Sequence, residues 1–445
     1  MNHDLIPPKK PFSYEGPGAA WVCLLMGWIG LTCLQYTIEF GPSITLNRHA
    51  ENEFLAENAH RLLEQLFLES KPHTVGSEAH SVLRNQIINQ LNDWGYDVEI
   101  QETQALTRRY QPPGEENMVP LNNIIFRLNG TAPDAAANTI LLLSHYDSTP
   151  LGPGISDDAV GFAVWLQIAR QLKQGPPPRN NLVFLITDGE EYGLLGAEKF
   201  VAEHSLAKEV ALVVNLEARG TSGRSLMFQT GPQNRWLISL MGQTLSRPAT
   251  SSLFQEIYKR LPNDTDFTVF LRNKKQGYNF AYIGDAQNYH TPNDDLVNTS
   301  LRSLAHHGRN AWELTNVLAN RPLELNSTGD AVYFDLWGRR LIWWPADWTI
   351  PVAGVSFLLA LIGFVTLRPS LLAEQQRIKN LWTSPVAFSI SVCMGLCLLV
   401  VAMHYGLRFE KATQVQFPKS GFGLAAGLWG GGIAIALAIS TCFHV

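Results

Sequence analysis

Apolar residues return along this chain in two rhythms. Between residues 54 and 320, short apolar runs bounded by Gly, Pro, Asn or Asp alternate with longer segments whose apolar positions recur at helical spacing. The first rhythm marks buried strands and the second amphipathic helices. Together they predict helices over residues 54–68 and 77–94, then strands over 98–103 and 123–128. Strand 139–145, helix 158–172, strand 181–187, helix 194–204 and strand 210–216 follow. Strands 226–229 and 279–283 bracket helices near 233–245 and 251–259, and a long helix over 301–320 ends the series. Such alternation implies an α/β fold, a mostly parallel mixed central sheet covered by helices on both faces. In sheets of this kind ligands collect at the carboxyl ends of the strands.

A third pattern lies outside this block. Residues 16–38, 348–367, 380–407 and 420–445 contain no Asp, Glu, Lys or Arg. A helix needs about 20 residues to cross the hydrocarbon core, and each stretch is long enough. The pattern predicts a tail over 1–18, a transmembrane anchor over 19–38, a catalytic-sized domain over 39–345 and three transmembrane helices within 346–445 (349–367, 386–405 and 422–443). Trp343, Trp344 and Trp348 form an aromatic belt where the second span begins. The first stretch is longer than a signal-peptide core, and Gln35-Tyr36-Thr37-Ile38-Glu39 offers no small-residue cleavage site, so it reads as an uncleaved anchor. Sidedness stays open, because Arg339, Arg340, Arg408, Lys411 and Lys419 on the domain side balance Lys9, Lys10, Arg368, Arg377 and Lys379 on the other. His404 is the ionisable side chain within the spans, which favours anchoring over transport. The chain stops directly after its last span, which leaves open that it is a fragment of a longer membrane protein.

Composition agrees with this division. Of 445 residues, 46% are hydrophobic and 16% charged, against roughly 25% charged in soluble globular proteins. The net charge of −5 gives no basic footprint for nucleic acid. Cys23, Cys33, Cys393, Cys397 and Cys442 all lie in the uncharged stretches, so the central domain has no disulfide and no thiolate nucleophile or ligand. Asn129, Asn263, Asn298 and Asn326 each begin a glycosylation sequon, relevant if the host is eukaryotic and the domain lumenal.

Chemistry gathers at the strand ends. Strand 139–145 runs into His145-Tyr146-Asp147, and Ser156-Asp157-Asp158 opens the next helix. Strand 181–187 ends in Asp188-Gly189-Glu190-Glu191, strand 210–216 in Glu217-Ala218-Arg219, and Tyr289-His290 follows the strand around Phe280. Each turn alone is unremarkable as solvated charge. Five on one sheet edge, in the order imidazole, carboxylate, carboxylate pair, carboxylate, imidazole, make the nitrogen and oxygen donor set that zinc accepts, with too much imidazole for calcium or magnesium.

With these motifs in this order, residues 54–320 resemble the co-catalytic di-zinc aminopeptidases, a family that includes glutamate carboxypeptidase and glutaminyl cyclase. The resemblance extends to a membrane-anchored branch similar to the endoplasmic reticulum metallopeptidases. It implies that His145 and Glu217 hold one Zn2+, that Glu191 and His290 hold a second, and that Asp157 bridges them. Glu190 then matches the general base and Asp147 the carboxylate that orients His145. Glu217 stands where many relatives have Asp. A peptide substrate, a bilayer and an extracytoplasmic domain (periplasmic, extracellular or lumenal) are further implications, while the oligomeric state is not specified. Physical chemistry supports the scheme: a shared carboxylate offsets repulsion between two dications, and zinc lowers the pKa of its water to roughly 7. An adjacent carboxylate can then carry the proton to the leaving amine.

Several assignments keep two readings. Arg219 either meets substrate or makes a structural ion pair. Asp266, in Asp264-Thr265-Asp266-Phe267, lines the substrate pocket or caps the short helix after it. Tyr289 reaches the tetrahedral oxyanion or packs. The expected activity is removal of N-terminal residues, with a carboxypeptidase or a glutaminyl cyclase as enzymatic alternatives and a non-catalytic receptor or scaffold as the alternative of another class. The complete double ligand set disfavours the cyclase and the receptor.

Overall fold

The strongest apolar runs of the sequence form the centre of a seven-stranded sheet. The computed structural model describes residues 53–362 except 108, 113, 326, 327, 356, 360 and 361. Its strands are β1 (Val98–Thr107), β2 (Asn117–Leu128), β3 (Thr139–His145), β4 (Leu182–Thr187), β5 (Val210–Ala218), β6 (Leu226–Thr230) and β7 (Gln276–Tyr282), in the spatial order β1-β2-β4-β3-β5-β7-β6. Every residue of β3 and β4 is buried, as parallel strands covered on both faces require.

The helices are α1 (Ala56–Leu66), α2 (Glu78–Asp93), α3 (Val160–Gln174), α4 (Leu195–Glu203), α5 (Arg235–Thr244), α6 (Ser252–Tyr258), α7 (Asp266–Arg272) and α8 (Leu301–Ala319). One core joins α1, α2, α3, α5 and α8 to one sheet face through Leu142, Phe184, Val214 and Phe280. A second joins α4 and α7 to the other face through Leu141, Leu143, Leu185 and Val213. Adjacent strand residues point to opposite faces, so the two cores follow the alternation along β3. Trp165 of α3 is fully buried and donates its indole N–H to Leu143 O at 2.8 Å. Side-chain caps set helix starts: Ser77 accepts from His80 N–H at 3.1 Å, and Ser300 from Ser303 N–H at 3.3 Å.

The expected α/β class holds, but the sheet is more evenly mixed than mostly parallel. β4, β3, β5 and β7 are parallel neighbours. β1 pairs antiparallel with β2, β2 with β4, and β6 with β7. The antiparallel strands β1 and β2 carry exposed positions along their length, which an edge with one solvated face tolerates. β7 and β5 approach closely at Gly277, where a Cβ would lie 2.0 Å from Val213 O and 2.8 Å from the Phe267 ring. Gly277→Ala is therefore expected to cost about 1–3 kcal/mol, as a lowered denaturant midpoint. An unchanged midpoint would contradict this packing.

A second sheet follows α8, formed by β8 (Ala331–Leu336) and β9 (Arg340–Pro345) as an antiparallel hairpin. Trp343 and Trp344, which the sequence offers as part of an aromatic belt, are residues of β9. Of the four expected spans, those at 19–38, 386–405 and 422–443 lie outside the described residues. The described part of 349–367 is helical up to residue 362, with Ile350, Val355, Phe357, Leu358 and Leu359 exposed. Among the described residues no helix is long and apolar enough to cross a membrane.

Candidate metal centre

The parallel strands deliver their carboxyl ends to one place. β3 contributes His145 and the following Asp147, a turn over Ile155–Ala159 contributes Asp157 and Asp158, β4 leads to Glu190 and Glu191, and β5 contributes Glu217. His290 arrives after β7 and a 3-10 turn, with its backbone in the left-handed region at φ 54°. All of these except His290 are buried. The structure thus brings together His145, Asp147, Asp157, Glu190, Glu191, Glu217 and His290.

Two donor groups result. Ligand atoms of Asp157, Glu191 and His290 lie within 4.8 Å of one another, as do those of His145, Asp158 and Glu217. Asp157 reaches both histidines, with Oδ1 3.5 Å from His145 Nε2 and Oδ2 3.0 Å from His290 Nε2. His290 Nε2 also stands 2.8 Å from Glu191 Oε1, and His145 Nε2 3.7 Å from Glu217 Oε2. Asn215 donates to Glu217 Oε1 at 3.3 Å. Asp158 was not selected from the sequence. Its carboxylate is occupied by the N–H groups of His145 at 3.4 Å and Gly161 at 3.1 Å, so it buttresses the turn as well as standing near the donors.

Asp147 stands against His145, as expected, through its main-chain oxygen as well as its carboxylate. His145 Nδ1 lies 3.0 Å from the main-chain oxygen of Asp147 and 3.5 Å from its carboxylate. The carbonyl thereby fixes the Nδ1–H tautomer and leaves Nε2 with a lone pair. The Asp147 carboxylate also accepts the N–H of Glu190 on Oδ1 at 3.0 Å and that of Glu191 on Oδ2 at 3.1 Å.

Desolvation dominates the electrostatics. Burial holds Glu190, Glu217 and Asp158 well above the usual carboxylate range, and raises Glu191 to about 7. Asp157 goes the other way: against the burial penalty, the imidazoles of His145 and His290 beside it keep it below its ordinary value. His290 is raised to about 10, because Glu191 and Asp157 outweigh the burial that would lower it. A cluster with this excess of buried carboxylates needs compensating cations.

The residues fit zinc. His145 Nε2 is buried without a hydrogen-bond partner, yet faces carboxylate oxygens at 3.5 and 3.7 Å. Donors at zinc bond lengths near 2.0 Å around one tetrahedral ion stand about 3.3 Å apart. The donors are imidazole and carboxylate throughout, as the sequence led one to expect.

Three further residues were singled out. Arg219 and Tyr289 line a cavity of about 250 Å³ that opens against Asp157, Glu190 and Glu217. The Arg219 guanidinium lies 5.0 Å from the Tyr289 ring centroid, and Tyr289 stacks on His290 with centroids 3.7 Å apart. Asp266 neither lines the cavity nor caps the helix. It is the first residue of α7, after the N-cap Thr265, and accepts a short hydrogen bond from the Thr187 hydroxyl beneath the end of β4. Burial raises it to about 7.

Sequence reasoning missed a support behind the centre. Asp188 is fully buried, 3.0 Å from His80 Nε2, and accepts the Tyr146 O–H at 3.1 Å and the Asn122 N–H at 2.8 Å. His80 stacks on Tyr146 with centroids 4.5 Å apart. The network ties α2 and β2 to the ends of β3 and β4. Only Asp188 beside Glu190 hinted at it in sequence. Asp294, which accepts from the N–H groups of Ser156 at 2.7 Å and Asp157 at 3.2 Å, was equally invisible.

A mixed α/β sheet carrying paired imidazole–carboxylate donor groups at its carboxyl edge defines a metal-centre domain. Residues 123–315 match the sequence profile of Peptidase family M28. Among curated relatives, it is 30% identical over 282 residues to the vacuolar membrane protease of Eremothecium gossypii, covering 62% of this chain and 27% of that protein. It is 29% identical over 351 residues to endoplasmic reticulum metallopeptidase 1 of Rattus norvegicus, covering 76% of this chain and 36% of the relative. The chain thus spans about a third of the length of these relatives. Among solved structures, the aminopeptidase from Aneurinibacillus sp. strain AM-1 aligns with TM-score 0.49 at 17% identity, over 63% of this chain and 97% of the other.

Proposed function

We propose that this chain is a membrane-anchored zinc exopeptidase that removes N-terminal residues from peptides, preferring an apolar first side chain. The observation that carries this reading is the character of the cavity. Its walls include Leu226, Phe228, Phe254, Ile257 and Leu261, whereas Asp157, Glu190, Glu217 and Asp264 give it an acidic end. An apolar side chain fills such walls, and the carboxylates complement the α-ammonium of a free N-terminus. Arg219 is the cation among the residues lining it, and its place over Tyr289 leaves a carboxypeptidase as the second reading.

In the proposed mechanism His145, Asp157 and Glu217 hold one zinc ion, and His290, Glu191 and Asp157 a second. Bound zinc supplies Lewis acidity toward water and the scissile carbonyl. Glu190 takes the proton of the attacking water and returns it to the leaving amine; its burial raises its proton affinity toward that task. Asp147 positions Glu190 and Glu191 through their N–H groups and His145 through its carbonyl. Arg219 and Tyr289 meet the substrate beside the cavity, and Asp266 supports the end of β4 rather than touching substrate.

The membrane part of the reading is supported by the four uncharged stretches, by the exposed apolar residues that begin the second of them, and by relatives named for the vacuolar membrane and the endoplasmic reticulum. In this reading the domain is extracytoplasmic, whether periplasmic, extracellular or lumenal. A panel of free and N-blocked peptides, with and without a chelator, tests the activity. Peptides beginning with Leu or Phe are expected to exceed those beginning with Gly or Asp by about 10- to 100-fold in kcat/KM. Equal rates on blocked substrates would remove the aminopeptidase assignment, and a preference for acidic first residues would remove the role of the cavity.

A further inference from the structure

The hairpin that follows the main sheet has one face packed on the core and one that is partly exposed. Cross-strand pairs place Tyr333, Asp335, Leu341 and Trp343 on the same side. That side packs inward: Tyr333 is buried, Leu341 and Trp343 pack against the core, and Asp335 pairs with Arg224 at 3.3 Å. The pairs Val332–Trp344, Phe334–Ile342 and Leu336–Arg340 occupy the other side. There Phe334, Leu336 and Ile342 are exposed, and Phe334 and Trp344 meet edge to face at 6.2 Å. At the tip Trp337 is 69% exposed and left-handed at φ 53°. A bulky residue there costs about 1–2 kcal/mol and gains no burial in return. Exposed Arg339 and Arg340 complete the turn.

We infer that this outer face and the Trp337–Arg340 tip rest in the headgroup region of the bilayer, seating the catalytic domain on the membrane. The inference builds on the membrane-anchored reading above. Its occupant is fixed by continuity: β9 ends at Pro345, a single 3-10 turn over Ala346–Trp348 follows, and the helix from residue 349 begins at once with exposed Ile350, Val355, Phe357 and Leu358. A strand whose last residue stands one turn from an apolar helix is held close to wherever that helix enters lipid. The chemistry suits the interface, where Trp rings sit at headgroup level and Arg meets phosphate. Isolated apolar surface residues need no explanation, but a contiguous aromatic face beside a candidate span does.

The test uses the full chain in lipid nanodiscs made with a photoactivatable phosphatidylcholine, followed by mass spectrometry of adduct positions. Adducts are expected on peptides covering 332–344 and 349–362 and absent from the surface around Val297. Trp337→Gly with Ile342→Thr should abolish the hairpin adducts and leave those at 349–362 in place, with peptidase activity in detergent retained as evidence of folding. Adducts at 349–362 without any on the hairpin overturn the seat while leaving the anchor standing. Absence from both segments overturns the membrane reading itself. Crosslinks from the hairpin to a second copy of the chain in place of lipid also overturn the seat.

Discussion

Glu190→Gln should lower kcat by about 10²- to 10⁴-fold, the contribution of a positioned general base, while zinc content and KM stay near their original values. Gln keeps the shape of the side chain and the N–H that Asp147 holds at 3.0 Å. It removes only the capacity to accept and release a proton. Glu190 is 7% exposed and lines the cavity beside Asp157 and Glu217, so no neighbouring water replaces its function easily. Steady-state kinetics with a free peptide, alongside metal analysis of the same preparation, separates the two effects. Hydrolysis at the original rate with full metal content would remove Glu190 from the reaction and assign the proton transfer to another group.

The second large effect is expected at Asp157. Its two oxygens face different histidines, at 3.5 and 3.0 Å, so Asp157→Ala removes a donor from both groups at once. Changes to residues that merely orient a ligand cost about 10- to 100-fold in metal affinity or activity, and loss of a shared ligand should exceed that. Zinc per chain is expected to fall together with activity, and added zinc should restore neither fully. His290→Ala is the contrasting variant, because it leaves His145, Asp157 and Glu217 intact and should lower zinc content by a smaller amount. If Asp157→Ala retained its metal and only His290→Ala lost it, the shared position assigned to Asp157 would be wrong. Chelation of the unaltered chain should abolish hydrolysis, with recovery on return of zinc.

Much of the fold was legible because burial leaves a signature in composition. β3 and β4 are continuous apolar runs, buried at every position, and such runs are hard to mistake for anything solvated. The first half of β2, by contrast, begins Asn117-Met118-Val119-Pro120 with exposed positions, and its pairing partner, not its own composition, makes it a strand. The hairpin of β8 and β9 escaped for a related reason: its tryptophans suited a membrane boundary equally well, and only the turn at Trp337 and Gly338 distinguishes the two. At the centre, the residues that point directly at a metal were readable because strand ends concentrate them. Contacts through the main chain were not. That Asp147 serves His145 with its carbonyl, and that Asp266 reaches Thr187 from 79 residues away, depends on tertiary placement.

One detail of that placement reaches beyond the reaction. The two oxygens of Asp147 grip the peptide groups of Glu190 and Glu191, consecutive residues with separate duties. The proposed proton acceptor and the proposed ion ligand are thus fastened by one clamp, and a shift of the clamp moves both. A substitution at Asp147 is therefore expected to disturb the settings of both residues together, whereas a change in either glutamate side chain leaves the backbone clamp in place.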